Sequence, residues 1–381
     1  MKVLAITLAK KDWVTGVWTF LEITRKALEA EGIQYVIPDH WLNHREPRRP
    51  LRAIVKALSW FAGTPYEIDM RRRLTGPALA GITRRLSRFH NPDVLHIQGS
   101  LAAGLILDFL RAERVPWVLH LHSVDSELIR AEGIPPDHPL VIFSDHLLRK
   151  SIREAPVTCA VSHNLRDRIA ALGIDVSRVR VVHNPIIVPE LPDVPRTGPY
   201  IFLSARLTPW KGVDLAISAW ERVEKELPEV FLYIAGSGPE EPSLRNLIKE
   251  RDLKRVVFLG MLSWEEAMSW ASKALLVLNP SVPRGGARES LPFSVLEGMA
   301  LGVPVISSDT GGAKEALGDA GILIPPFDTE AMADAMIRLI KDEALRRELG
   351  QKGIRRAKEV FGPELYARRM RDAFASAIGS L

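Results

Sequence analysis

An alternation constrains this chain more than any other feature. Short apolar runs are each followed by a polar or glycine-bearing loop, and most of them then by an amphipathic stretch, in two successive series. The first series has runs at 2–8 (KVLAITL), 35–37, 94–97, 117–121, 157–161 and 179–182; the second has them at 200–204, 230–235, 256–259, 275–278, 303–307 and 321–324. Most of these runs are continuously apolar rather than alternating. That is the pattern of strands buried on both faces, as in a parallel sheet covered by helices. Helical spacing is read at 18–30, 101–111, 164–172, 213–225 and 363–378. The sequence therefore predicts an α/β chain of two doubly wound, Rossmann-like domains.

Between the two series, Pro189, Pro192, Pro195 and Pro199 fall within fourteen residues. Proline at that density continues neither helix nor sheet. The expected division is an N-terminal domain at 1–187, a linker at 188–199, a second domain at 200–362 and a terminal helix at 363–381. A length of 381 residues suits two such cores.

In doubly wound sheets, ligands bind beyond the carboxyl ends of the strands. The loops at those ends are therefore the places to look for chemistry. Gly16 stands where the first loop enters a helix and would let a ligand approach the backbone, unless it only makes a turn. His122 follows an apolar run and can reach a substrate hydroxyl; a satisfied structural histidine is the alternative. Arg206 and Lys211 share one loop of the second series, and Gly236 opens the next.

Glu289 and Glu297 stand eight residues apart around SLPFSVL, read as a tight loop entering a helix. Pro292 suits a first helical turn and Ser290 a cap. The exposed amides and positive dipole end there form a phosphate site. Glu297 lies among Val295, Leu296, Met299, Ala300, Leu301 and Val303. A carboxylate in that company needs partners: either ribose hydroxyls or a structural ion pair. Two cations and a helix terminus on adjacent loops suit a nucleoside diphosphate. No metal-binding pair of acids stands out, so the fixed cations would neutralise the diphosphate, with no metal and no cofactor.

The sole cysteine, Cys159, excludes an internal disulfide, which fits a reducing compartment. The first residues read as a buried strand rather than a leader, and no run approaches the ~18 apolar residues of a membrane span. These features point to a cytoplasmic protein. The net charge of +5 is unevenly placed: residues 44–90 hold eleven Arg/Lys against three acids, so the remainder is net acidic. That segment includes a basic amphipathic pattern at 50–63 and the cluster Arg71, Arg72, Arg73. Either these are solvated helix faces, or they meet an anionic membrane surface or lipid-linked acceptor, which would make the protein peripheral at the inner face of the membrane. No nucleic-acid motif accompanies the charge.

The spaced pair Glu289…Glu297, the Arg206…Lys211-Gly212 loop, Gly236-Ser237-Gly238-Pro239 and GMALGVPVISSDTGGAKE (298–315) together resemble the retaining glycosyltransferases of family 4, which have the GT-B fold. The first half matches more loosely, in VLHLHS (118–123). The resemblance implies a hexosyltransferase that uses a nucleotide-sugar donor and a glycan or lipid-linked acceptor, with the two domains facing a cleft. It implies that Glu297 binds the ribose, that Arg206 and Lys211 hold the pyrophosphate, and that Glu289 contacts the donor sugar. It places the amides of Leu291, Phe293 and Ser294 at phosphate and sugar, the backbone near Leu262 at the base, His122 at the sugar and Gly16 at the acceptor side. The chain has Ser290-Leu291-Pro292 where many members have Gly-Phe-Gly, Thr15-Gly16 where many have Gly-Gly, and His183-Asn184-Pro185 where many have Asn-Gly-Val. A nucleotide-sugar epimerase of similar fold and a non-catalytic nucleotide-sugar-binding protein are the alternative readings.

Overall fold

The computed structural model describes residues 1–7, 16–38, 79–195 and 198–380. The chain folds as two compact units: Met1–Val182 with Tyr366–Leu381, and His183–Leu365.

The first unit holds a six-stranded sheet in the order β2-β1-β3-β4-β5-β6. Its strands are β1 (Lys2–Ile6), β2 (Gln34–Val36), β3 (Val94–Gln98), β4 (Trp117–Leu121), β5 (Val157–Ala160) and β6 (Val179–Val181). Every pairing is parallel, with registers such as Val3↔Val94, Leu95↔Trp117 and Val118↔Val157. Every residue of β3, β4 and β5 is buried, as continuously apolar runs require.

Two helices of this unit, Asp125–Ala131 and Pro139–Glu154, fall where no helix was read from spacing. Their starts are nonetheless signalled. Asp125 and Glu127 lie in the first turn of one; the His138 ring accepts the Leu140 N–H, and Pro139 opens the other. The buried face of the second helix includes Ser144 and Ser151 beside Val141, Leu147 and Leu148, and the two serines break the apolar stripe.

The second unit has the order β12-β11-β10-β7-β8-β9. Its strands are β7 (Tyr200–Ser204), β8 (Phe231–Ala235), β9 (Val256–Gly260), β10 (Val277–Asn279), β11 (Val305–Ser308) and β12 (Gly321–Ile324). All pairings are again parallel. Counted from β7, this is the order 3-2-1-4-5-6, and it reverses between β7 and β10. A crevice opens at such a reversal, beyond the carboxyl ends of the two strands. Trp220, Phe202, Ile201 and Leu203 are buried at the centre.

The break between the units lies at Val182/His183, ahead of the 188–199 stretch where it was expected. Residues 183–195 belong to the second unit. The Ile186 N–H donates to the Phe361 carbonyl at 2.9 Å, and Lys273 reaches Asp193 at 2.7 Å. The prolines run extended along that unit and are held by side chains from it, rather than forming a free connector.

The final helix, Pro363–Ile378, contributes its residues from Tyr366 onward to the first unit. It buries Tyr366, Ala367, Met370, Ala373, Phe374 and Ala377, at the i, i+3/i+4 spacing of a core-facing stripe. Thr24 hydrogen-bonds the Tyr366 hydroxyl at 3.1 Å, and Arg371 pairs with Glu31 at 2.6 Å.

Among the described helices, none is long and apolar enough to cross a membrane. Residues 44–78, including Arg71, Arg72 and Arg73, lie outside the described residues. A helix covers 79–90, and its Arg84 pairs with Glu113 at 2.8 Å while lying over Phe109.

Candidate functional site

The second unit places its chemistry at the strand reversal. After β7 the chain makes a 3-10 turn, Pro209–Lys211, and Gly212 follows at φ 66°. A Cβ at Gly212 would lie 2.1 Å from the Pro280 carbonyl oxygen, so only glycine lets this loop press against the loop after β10. The Val282 N–H donates to the Trp210 carbonyl at 2.8 Å and ties the same two loops. Arg284 adds a bidentate pair with Asp214, at 2.9 and 2.7 Å, and also donates to the Pro209 carbonyl at 2.9 Å. Arg284 and Asp214 are seventy residues apart, and spacing does not connect them.

This bracing brings Lys211 to Glu289: Nζ lies 2.5 Å from Oε1. Glu289 is buried, and Ser281 Oγ approaches the same carboxylate oxygen at 2.8 Å. Ser281 in turn lies 3.2 Å from Asn279 Oδ1, while the Asn279 amide donates to Ser307 at 2.9 Å. A buried polar network therefore fixes the carboxylate from below. Lys211 Nζ also sits 4.3 Å from the Trp210 ring centroid. Arg206 is exposed on the same loop, and among the described residues no carboxylate pairs with it.

The helix after β10 runs Phe293–Ala300, with Pro292 as its N-cap residue and no side chain capping it. This corrects two expectations. Pro292 precedes the first turn rather than occupying it, and Ser290 lies too far back to cap. Without a capping side chain, the first N–H groups are left open to an anion. Leu291 is buried, while Phe293 and Ser294 are half-buried. The preceding loop is anchored from the other side by the Gly312 N–H, which donates to the Glu289 carbonyl at 2.9 Å.

Glu297 is partly exposed on this helix. One of its oxygens, Oε1, accepts the Trp264 indole N–H at 3.0 Å. Apolar neighbours withdraw its solvation, and burial pushes the carboxyl up to about 7 against the lowering pull of the indole. The described residues do not show the structural ion pair left as an alternative: the donor it has is neutral. Trp264 itself was not singled out by sequence. It lies thirty-three residues before Glu297, at the start of the helix Trp264–Ser272, which Ser263 and Glu266 close with a reciprocal capping box.

Gly236 follows β8 at φ 125°, and a Cβ there would lie 1.9 Å from the Ala205 carbonyl oxygen. It lets the β8 loop approach the loop bearing Arg206. Leu262 lies half-buried in the loop after β9. The structure thus brings Lys211 and Glu289 into contact, and sets Arg206 on the loop of Lys211 and Glu297 on the helix that follows the loop of Glu289, without a described contact joining these four as one cluster.

In the first unit, His122 follows β4, and its Nε2 is hydrogen-bonded to Gln98 Oε1 at 2.8 Å. It stacks on His120 at 4.9 Å between ring centroids. His120 is hydrogen-bonded to His96 at 3.0 Å, and His96 to the Tyr35 hydroxyl at 2.7 Å. Phe20 meets all three imidazoles edge-on. Burial pushes His96 down to about 3, His122 down to about 4 and His120 well below its usual range. All three are therefore neutral at physiological pH. Nearby, Asp125 accepts the Ser100 hydroxyl at 2.8 Å and the Ser123 hydroxyl at 3.1 Å, and burial raises its carboxyl. Gly16 is the first residue of the helix Gly16–Ala30; Thr15 lies outside the described residues.

Two family models match successive stretches of the chain: "Glycosyltransferase Family 4" over residues 14–188 and "Glycosyl transferases group 1" over 191–356. An exopolysaccharide phosphotransferase of Streptomyces coelicolor is 38% identical over 48% of this chain, but the match spans only 19% of that protein. The N-acetyl-alpha-D-glucosaminyl L-malate synthase of Bacillus anthracis is 26% identical over 81% of this chain and 79% of its own length. Among solved structures, Anabaena HepE in complex with UDP-glucose superposes with a TM-score of 0.73 at 18% identity, covering 100% of both chains.

Proposed function

The chain belongs to the family 4 type of glycosyltransferases with the GT-B fold, and from that premise we propose that it moves a hexose from a nucleotide-diphosphate sugar to a hydroxyl of a sugar or lipid-linked acceptor, with retention and without a metal. One observation carries the reading. Lys211 and the buried Glu289 meet at the strand reversal, on the two loops that also carry Arg206 and the uncapped start of helix 293–300.

In this reading the diphosphate lies over that helix start. Lys211 and Arg206 neutralise it, as Mg²⁺ does elsewhere. When it arrives, Lys211 turns from Glu289 to phosphate, and Glu289 is released toward the donor sugar. Glu297 accepts the ribose hydroxyls. The bond from the anomeric carbon to the phosphate oxygen breaks, and a bond to the acceptor oxygen forms on the same face. The acceptor proton passes to the departing phosphate. No separate enzymic base is needed.

The Bacillus anthracis relative is named for a glycosyl-malate product, and the Anabaena protein is described with UDP-glucose. Both are compatible with an activated-sugar donor here.

The test is a thermal-shift screen of UDP-, GDP- and ADP-sugars, followed by an assay of nucleotide release. A donor raises the apparent stability, and release of nucleoside diphosphate accelerates only with acceptor present. Lys211→Ala weakens nucleoside diphosphate binding by about 1.5–3 kcal/mol. No shift with any donor, or unchanged affinity of the variant in calorimetry, overturns the reading. An epimerase would convert donor without acceptor.

A further inference from the structure

We infer that Trp264 is a positioning residue that makes the donor site select ribose over 2′-deoxyribose, by holding the carboxylate of Glu297 in place and keeping it charged. The inference rests on the proposed role of Glu297 toward the donor ribose.

The geometry supports it at three points. First, the indole N–H donates to Glu297 Oε1 at 3.0 Å, and Oε2 has no described partner. Both oxygens keep lone pairs for hydroxyls, while the indole fixes the rotamer. Second, Trp264 cannot drift. It follows Ser263, whose hydroxyl accepts the Glu266 N–H at 3.2 Å while Glu266 accepts the Ser263 N–H at 2.8 Å. Third, the same loop carries Leu262 two residues earlier, where the base is expected. One loop after β9 would thus read the base with its backbone and set the ribose carboxylate with its next side chain.

Among the described residues the carboxylate has no charged helper for this task. Its helix packs against β10, β11 and the helices Trp264–Ser272, Ala313–Leu317 and Glu343–Phe361. Of the charged groups there, Glu266 is held in the Ser263 cap, Glu315 is paired with His183, and Arg356 donates to the Glu315 and Ala316 carbonyls. None of them enters the titration of Glu297, which burial raises and only the indole lowers. A vicinal diol is bound by an ionised carboxylate, which accepts two hydrogen bonds. Deleting the indole N–H raises the carboxyl further, so more of it is protonated near neutrality and binding moves to higher pH.

The test compares wild type, Trp264→Phe and Glu297→Gln by calorimetry with UDP, GDP and ADP, and with the 2′-deoxy form of whichever binds, from pH 6 to 9. Trp264→Phe keeps the ring and removes the N–H. It is expected to weaken the ribonucleotide about fivefold near pH 6.5, to regain most of that at pH 9, and to weaken the 2′-deoxynucleotide, which keeps only the 3′-hydroxyl, by clearly less. The ribose preference of the wild type therefore shrinks in the variant. A merely structural Trp264 would weaken both nucleotides equally at every pH, and that result overturns the inference. If wild type and Glu297→Gln show the same ribose preference, the role of Glu297 toward ribose falls. If wild type binds no nucleotide, the donor reading itself fails.

Discussion

In the second unit the loops after β7 and β10 carry Arg206, Lys211 and Glu289, and the helix that follows carries Glu297; in the first, the carboxyl ends of β3 and β4 and the residues that follow carry Gln98, His122, Ser123 and Asp125. Both sheets are parallel and six-stranded, and both offer their carboxyl ends. What differs is charge. The second unit brings a lysine 2.5 Å from a buried carboxylate and leaves an uncapped helix start beside them. The first surrounds its imidazoles with Phe20, Tyr35, Phe374 and one another, so burial keeps them neutral. One fold type thus supports two electrostatic solutions. Fixed charge suits a diphosphate, and a neutral donor–acceptor surface suits a polyol.

The comparison is sharpened most strongly by acid. Unfolded histidines titrate near 6.5, while His96 and His122 titrate at about 3 and about 4 in the fold and His120 also lies low. Between those values the unfolded chain binds protons that the folded chain does not, so stability falls as pH falls. Each such histidine lowers stability by at most about 1.4 kcal/mol per pH unit, reached only once its unfolded form is fully protonated. The raised carboxyl of Asp125 offsets part of this. The second unit moves the other way. Glu297 has a folded value of about 7, above its unfolded one, so it loses stability as pH rises through that range and gains it as pH falls. Hydrogen exchange at pH 7.5 and pH 5 should show peptides of 94–121 losing protection while those of 200–279 keep theirs. Equal loss in both would break the contrast.

The next largest effect is on rate. Glu289→Ala removes the buried partner of Lys211 and, in the proposed reading, the group that meets the donor sugar. A loss of about 10²–10³ in kcat is expected, the size seen when one preorganised electrostatic group is removed. The variant should keep a cooperative melt, because Asn279, Ser281 and Ser307 can close around the gap. Retained activity would mean that the charged end of the second unit serves structure alone.

How much of this was legible follows from what was local. The described strands overlap apolar runs that can be read by eye, because a strand buried on both faces is mostly apolar. The Lys211 and Glu289 loops were legible through one topological rule, that strand ends carry ligands. The bracing was not. Arg284 and Asp214, or Trp264 and Glu297, meet only because the sheet order places their loops side by side, and nothing in the spacing encodes that order. The imidazole stack had a signal that went unused: His120 and His122 are two apart across a strand end and so share a face. His96 joins them only through the β3–β4 register, which pairs His96 with Val118, two residues before His120 and on the same face. Helix 139–154 was missed because serines interrupt its buried stripe.

The smallest effect tests whether the network beneath Glu289 matters as charge or as geometry. Ser281 has one hydroxyl proton and two acceptors, Glu289 at 2.8 Å and Asn279 at 3.2 Å. The shorter bond goes to the charged group, and hydrogen bonds to charges are the stronger ones. Ser281→Ala leaves the Lys211 contact in place and removes one donor from the carboxylate. A cost of about 1 kcal/mol, or roughly fivefold in kcat, is expected. The matching variant in the first unit is Ser123→Ala, which takes one donor from Asp125. That carboxyl keeps the Ser100 hydroxyl and the Leu101 N–H and stands where the reading places no transition-state charge, so its effect on kcat should be the smaller of the two. Steady-state kinetics on both variants decides the point. If Ser123→Ala costs as much as Ser281→Ala, the neutral rim is as tightly coupled to the chemistry as the charged one, and the division of labour between the units is wrong.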